Sequence, residues 1–146
     1  MEKKLTIITP TYNRAYILPK LYESLKRQTL LKFEWIIIDD GSIDNTESLV
    51  KSWMESVPLM FEINYFKQKN GGKHRALNLG VSKSRYEYIY IIDSDDYMTE
   101  DGVQHIYNWI SSIGNKFKII FMISKDLQFI LVLLMNRKIK ISLNLD

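Results

Sequence analysis

Four times in residues 1–114 the chain passes from a short, β-branched apolar run through a polar loop into a helical pattern. That alternation restricts the fold more than any other feature. Strand–helix–strand repeats join parallel neighbours through right-handed crossovers. The first strand is read at Leu5–Thr9 and is expected to end at Pro10. A helix beginning near Pro19 places Leu18, Leu21, Tyr22 and Leu25 on one face, and proline is tolerated only in a first turn. The second strand runs from Trp35 to Asp39. Asp44 and Glu47 are spaced as a capping box for a helix with Leu49, Val50, Trp53, Met54 and Val57 inward, stopped by Pro58. Phe61–Phe66 is the third strand, Asn70-Gly71-Gly72 a turn, and a third helix from Lys73 groups Ala76, Leu77, Gly80 and Val81. Tyr88–Ile92 is the fourth strand. Thr99 is the expected N-cap of a last helix, with Glu100 and Asp101 in its first turn, Val103, Ile106, Tyr107 and Ile110 inward, and Gly114 as its stop. The second and fourth strands are continuous apolar runs, as strands covered on both faces are. The expected fold is therefore α/β, a Rossmann-like, doubly wound, mostly parallel sheet.

Sheets of this kind bind ligands outside the carboxyl ends of their strands. Those ends carry Thr9-Pro10-Thr11-Tyr12-Asn13-Arg14, Asp39-Asp40-Gly41-Ser42, Asn70-Gly71-Gly72-Lys73-His74-Arg75 and Asp93-Ser94-Asp95-Asp96. The last holds three aspartates in four positions. Adjacent carboxylates repel unless a cation shares them. An all-oxygen set suits a hard ion such as Mg²⁺ or Mn²⁺. The alternative is an acidic turn that caps the next helix. Asp39 and Asp40 are candidates either to cap the second helix or to hydrogen-bond a ribose or base. Gly71-Gly72-Lys73 is a candidate phosphate cradle at a helix start, though not a P-loop, because residue 67 is Lys and residue 74 is His. No Gly-x-Gly-x-x-Gly follows the first strand, which disfavours NAD or FAD. Tyr12 either stacks on a base or packs on its own loop. His74 is a candidate phosphate contact, whereas His105, Trp35, Trp53 and Trp109 are read as structural.

At these four segments, in this order and spacing, the chain resembles glycosyltransferase family 2 with its GT-A fold, over residues 3–114. The resemblance implies an inverting, metal-dependent transferase that uses a nucleotide sugar, most often a UDP-sugar, and a saccharide or lipid-linked acceptor. It implies that Pro10 and Tyr12 border the base and that Asp40, with Asp39 beside it, binds uracil or ribose. Gly72 and Lys73 then lie near the pyrophosphate. Asp93 and Asp95 form the Asp-x-Asp motif, with Asp95 the direct metal ligand and Mg²⁺ or Mn²⁺ the cofactor. Family members continue into an acceptor half that carries a carboxylate general base. The only carboxylates after residue 114 are Asp126 and Asp146, so no base is assigned. Two other readings share all or part of the pattern. A non-catalytic nucleotide-sugar-binding remnant or subunit shares all these motifs. A haloacid-dehalogenase-like phosphatase needs Thr or Val where Tyr97 stands and its motif after the first strand.

Composition adds a boundary. Residues 1–114 carry 14 basic and 15 acidic side chains; residues 115–146 carry six and two. The net charge of +3 thus arises in the tail, which argues against a nucleic-acid interface. The tail has no Gly, Pro or Ala, and 18 of its 32 residues are Ile, Leu, Val, Phe or Met. It is expected to be a separate segment, 115–146, after a nucleotide-sugar-binding unit, 1–114. A frameshift or premature end of the coding sequence is the expected origin, and an incomplete GT-A fold without transfer activity of its own the consequence. The duller alternative is a divergent tail that packs on the sheet edge or touches a membrane surface. Its longest unbroken apolar run, Phe129–Met135, is far short of the ~20 residues that span a bilayer. The chain has no cysteine, hence no disulfide framework and no thiolate chemistry. The first apolar run lacks a cleavage site behind it, and a cytoplasmic location is expected.

Overall fold

The computed structural model describes residue 2, residues 5–113 and the dipeptides 121–122 and 129–130. Strand β2 (Phe33–Asp39) is buried at every position, as its apolar run requires. It pairs in parallel with β1 (Leu5–Thr11) on one side and β3 (Glu62–Lys67) on the other, and β4 (Tyr88–Ile91) pairs in parallel with β1. The sheet order is β3-β2-β1-β4. The connections are the helices α1 (Leu18–Lys26), α2 (Thr46–Met54) and α3 (Lys73–Lys83); α4 (Gly102–Ile113) follows β4. Farther on, β5 (Phe121–Met122) and β6 (Phe129–Ile130) form an antiparallel pair. The expected stop at Gly114 lies outside the described residues, and so does most of the tail. Among the described residues no helix is long and apolar enough to cross a membrane.

Alternate residues of each strand feed two cores. Leu5, Ile7, Phe33, Trp35, Ile37 and Ile63 join α1, α2 and α4 in the larger one. Tyr22 of α1 stacks on Trp53 of α2 with ring centroids 4.2 Å apart, and Trp35 donates Nε1–H to Thr9 Oγ1 at 2.9 Å. Ile8, Ile36, Ile38, Ile89 and Ile91 pack against Ala76 and Leu77 of α3 on the opposite face. There Gly80 lets the helix come close, since a Cβ on it would lie 2.6 Å from the Ile8 side chain.

Four local expectations are corrected. Val57, expected on the inward face of α2, lies beyond the end of that helix at Met54 and is exposed. Pro10 does not end β1, which continues to Thr11. Ile8 and Pro10 share the side of β1 that faces β4, and that ladder closes with the bond from Ile92 N–H to Ile8 O. The donor that proline lacks therefore falls where no partner strand needs it. The capping box at α2 does not close. Asp44 accepts from Thr46 N–H at 3.0 Å and from Thr46 Oγ1 at 2.6 Å, while Glu47 turns away to Lys51 and Lys67. Finally, α4 begins at Gly102. Residues 99–101 form a preceding turn closed by Gly102 N–H on Thr99 O at 2.9 Å.

A polar cluster that the sequence did not announce locks the amino end of the sheet. Glu34, fully buried in β2, accepts from Thr6 Oγ1 at 2.7 Å, Arg85 N–H at 2.9 Å and Arg85 Nε at 3.0 Å. Arg85 also pairs with Glu62, and these two carboxylates raise its already high pKa. The cluster ties the α3–β4 connection to the two central strands. Glu34→Ala strands the Arg85 amide and takes the acceptor from the Thr6 hydroxyl, which keeps its bond with Ser84 Oγ at 2.7 Å. It is expected to lower unfolding stability by about 1–3 kcal/mol for each buried group left unsatisfied, measured by urea denaturation against wild type.

Candidate functional site

Because all four strands are parallel, their carboxyl ends share one edge, with Thr11, Asp39 and Lys67 level across it. The loops leaving that edge are laced together. Asn13, at φ 51°, donates its backbone N–H to Ser42 Oγ at 2.8 Å, and its side-chain oxygen accepts from Ile43 N–H at 2.8 Å. Asp44 Oδ2 accepts from Ala15 N–H at 3.0 Å. Burial pushes the Asp44 carboxyl up, but its hydrogen bonds to Thr46 and Ala15 prevail and hold it below the usual range. Gly41 has φ +85°, and a Cβ there would sit 2.9 Å from Asn70 N, so only glycine lets this loop lie against the next.

The laced loops enclose an open pocket of about 340 Å³, within the usual size of small-molecule sites. Pro10, Tyr12, Asp40, Lys73, Asp93 and Asp95 all line it. The structure thus brings six of the expected site residues together. Tyr12 is about half exposed. Lys73 Nζ reaches across to Asp93 Oδ1 at 2.6 Å. Carboxylate oxygens of Asp93, Asp95 and Asp96 lie within 4.8 Å of one another, with Asp95 exposed and Asp96 buried. Three convergent carboxylates, two of them lining the pocket, are a donor set of the right kind for a hard divalent cation.

Two expected site residues stand apart from the pocket. Asp39 is fully buried behind it; Oδ1 accepts from Ser42 N–H at 2.7 Å and Oδ2 from the Tyr65 hydroxyl. Burial, and then that bond to a carboxylate, raise the Tyr65 pKa and keep the phenol protonated. Gly72, at φ +91°, corrects the phosphate-cradle expectation. Its N–H donates to Asp40 Oδ2 at 2.9 Å and the Gly71 N–H to Asp40 Oδ1 at 2.8 Å, so the two amides are occupied within the protein. Gln68 adds a third bond to Asp40 at 2.7 Å. Burial pushes the Asp40 carboxyl up, but these three bonds and the Arg75 charge outweigh it and hold it below the ordinary range. His74 is exposed and does not line the pocket. His105 is exposed and pairs with Asp101, and Trp35 and Trp53 are buried in the larger core, as read from sequence.

Thr11, Arg14, Ala76 and Ser94 also line the pocket. Each lies inside or beside a polar loop already singled out, and Arg14 was the one detectable in advance, as a cation beside Tyr12. Its Nη1 donates to the Tyr16 hydroxyl at 2.6 Å. The buried Thr11 hydroxyl has no hydrogen-bond partner among the described residues.

Comparison with known proteins follows the same segments. The model of glycosyl transferase family 2 matches residues 6–125, running past residue 114. GlyG of Streptococcus pneumoniae, a glycosyltransferase, is 32% identical over 111 residues, covering 75% of this chain and 36% of GlyG. TarP of Staphylococcus aureus, a poly(ribitol-phosphate) beta-N-acetylglucosaminyltransferase, is 32% identical over 109 residues, 73% of this chain and 33% of TarP. Among solved structures, S. aureus TarS 1–349 in complex with UDP-GlcNAc superposes with a TM-score of 0.68 at 26% identity, covering 75% of this chain and 31% of TarS. The mannosyltransferase PcManGT of Pyrobaculum calidifontis, in complex with GDP-Man and Mn²⁺, gives 0.71 at 25% identity, covering 80% and 34%. The chain spans about a third of the length of these relatives. A family match over most of the sequence and an α/β fold shared with GT-A enzymes place the chain in glycosyltransferase family 2, as an incomplete GT-A fold.

Proposed function

We propose that residues 1–114 form the donor-binding unit of a metal-dependent, inverting glycosyltransferase that uses a UDP-sugar. One observation carries the reading: Tyr12 and Asp40, Lys73, and Asp93 with Asp95 line a single pocket of about 340 Å³. An aromatic ring, an acceptor, a cation and a carboxylate pair are the groups that base, ribose, diphosphate and metal call for. Pro10 and Tyr12 border the base. A carboxylate has about four lone-pair sites, and Asp40 spends three on Gln68, Gly71 and Gly72. Its remaining site is the acceptor for a base or ribose donor. Asp39 acts from behind, through Ser42 and Tyr65. Lys73 binds diphosphate oxygens.

Asp95 and Asp93 hold Mg²⁺ or Mn²⁺, with Asp96 in reach. A divalent cation at this place supplies charge neutralisation as the sugar–phosphate bond breaks. TarS with UDP-GlcNAc and PcManGT with GDP-Man and Mn²⁺ support a nucleotide-sugar donor and a metal. The acceptor, a saccharide or lipid-linked saccharide, and the general base that takes its hydroxyl proton belong to parts of the enzyme outside the donor loops. In this reading the 146-residue chain alone binds donor and transfers no sugar.

UDP is expected to bind this chain tightly only with Mn²⁺ or Mg²⁺ present. Asp95→Ala should remove most of that metal-dependent affinity, and Asp93→Ala somewhat less. Calorimetry with and without Mn²⁺ checks this, and equal affinity in both conditions refutes the metal assignment.

Asp40→Asn keeps the size of the side chain but loses the anionic acceptor, and its amide nitrogen faces one of the donors that Asp40 accepts from. A hydrogen bond to a charged group contributes about 1.5–3 kcal/mol, so UDP affinity should fall roughly tenfold or more. The same variant tests pH behaviour. A carboxyl whose folded pKa is depressed stabilises the fold fully above its unfolded value, 3.8, and loses that contribution as the pH falls through the folded pKa. Wild type should therefore lose more stability than Asp40→Asn between pH 5 and the acid transition, read by urea midpoints at each pH.

A further inference from the structure

Lys73 opens α3, and its ammonium lies 2.6 Å from Asp93 Oδ1. Asp93 is also one of three carboxylates whose oxygens gather within 4.8 Å. Oxygens gathered so closely repel unless a cation shares them. The backbone under Lys73 is fixed, because the amides of Gly71 and Gly72 before it are held by Asp40 at 2.8 and 2.9 Å. Its side chain is not buried in place, being 45% exposed. A lysine is a point charge on a flexible four-carbon stem, able to swing between partners without changing its origin. We infer that Lys73 is a resident counter-ion of the aspartate cluster, which a divalent cation displaces from Asp93 and which then moves to the donor diphosphate.

The inference rests on the cluster being the metal site and adds an order of events. Before ligands arrive, Lys73 offsets the repulsion around Asp93. A dication and an ammonium cannot both lie against the same carboxylate oxygen without strong repulsion. Metal binding thus carries the cost of breaking the Lys73–Asp93 pair. A diphosphate arriving next meets an ammonium already released. One displacement serves both ligands, so each strengthens the other by the same factor. Lys73 is a positioning residue in this scheme as well as a diphosphate contact, and the two roles push metal affinity and nucleotide affinity in opposite directions when it is removed.

The experiment is calorimetry on the full 146-residue chain with Mn²⁺ alone, UDP alone, and UDP at saturating Mn²⁺. In wild type the mutual strengthening should fall within the roughly 5- to 150-fold span typical of coupled sites. Lys73→Met should bind Mn²⁺ alone about fivefold tighter or more, bind UDP with Mn²⁺ more weakly, and show a smaller coupling factor. A misfolded variant would instead weaken both. Arg75→Met removes an equal charge from the same helix, one whose field falls on Asp40. It should leave affinity for Mn²⁺ alone within about twofold, as for a screened charge. Unchanged Mn²⁺ binding by a folded Lys73→Met, or weaker Mn²⁺ binding with UDP affinity retained, overturns the counter-ion role and leaves the metal site standing. Equal tightening by Arg75→Met overturns it too, because the cause is then the general field. A wild-type chain that binds no Mn²⁺, with or without UDP, refutes the metal site and the inference together.

Discussion

The Asp40 carboxylate is the joint on which the pocket depends. Its backbone N–H bonds to Thr11 O at 2.8 Å, and its side chain holds Gln68, Gly71 and Gly72. Three of the four loops at the carboxyl edge thus meet at one residue. The arrangement needs a charge, because a neutral amide oxygen cannot match a carboxylate as acceptor for three donors. It also needs glycines, because Gly41 and Gly72 both sit at positive φ, and a side chain at Gly41 would strike Asn70. From this joint follows the start of α3, and from that start the reach of Lys73.

The central strand β2 was legible because burial on both faces leaves no polar alternation to confuse it. β2 reads as an apolar run and is one. What misled was local punctuation read without its neighbours. Pro10 is a strand terminator only if its missing N–H faces a partner, and the short pairing of β1 with β4 removes that condition. Asp44 and Glu47 have capping-box spacing, yet Asp44 is drawn to Ala15, across a gap of 29 residues, and Glu47 to Lys67. Propensity and spacing carry no knowledge of either contact. Glu34 was invisible for the same reason: in sequence it is one acidic residue before an apolar run, and only the fold brings Thr6 and Arg85 to it.

The pocket was legible as a set of loops rather than as a set of roles. The parallel sheet guarantees that the four loops converge, whatever each side chain then does. Within the segments that drew attention, some polar groups face the pocket and others lace the loops together. Asp39 and Asp40 are neighbours in sequence and opposite in duty, one buried against Ser42 and Tyr65, the other on the pocket wall. Alternation along the end of a strand decides which is which, and a loop sequence does not show where that alternation stops. The amides of Gly71 and Gly72 show the same ambiguity, since a glycine turn before a helix suits an internal carboxylate as well as a phosphate.

The charges of the site follow from this economy of acceptors. Asp40 satisfies the Gly71 and Gly72 N–H groups at the start of α3, leaving Lys73 as the cation of that turn that lines the pocket. Asp93, Asp95 and Asp96 bring three carboxylates whose oxygens lie within 4.8 Å of one another, with Lys73 paired to Asp93. A nucleoside diphosphate alone would meet repulsion there, and a divalent cation alone would meet Lys73. In the proposed scheme the cation would satisfy the carboxylates while the diphosphate satisfies both the cation and the displaced lysine. On that reading the architecture favours the pair over either partner, with residues that all lie between Pro10 and Asp96, within one parallel sheet and its loops.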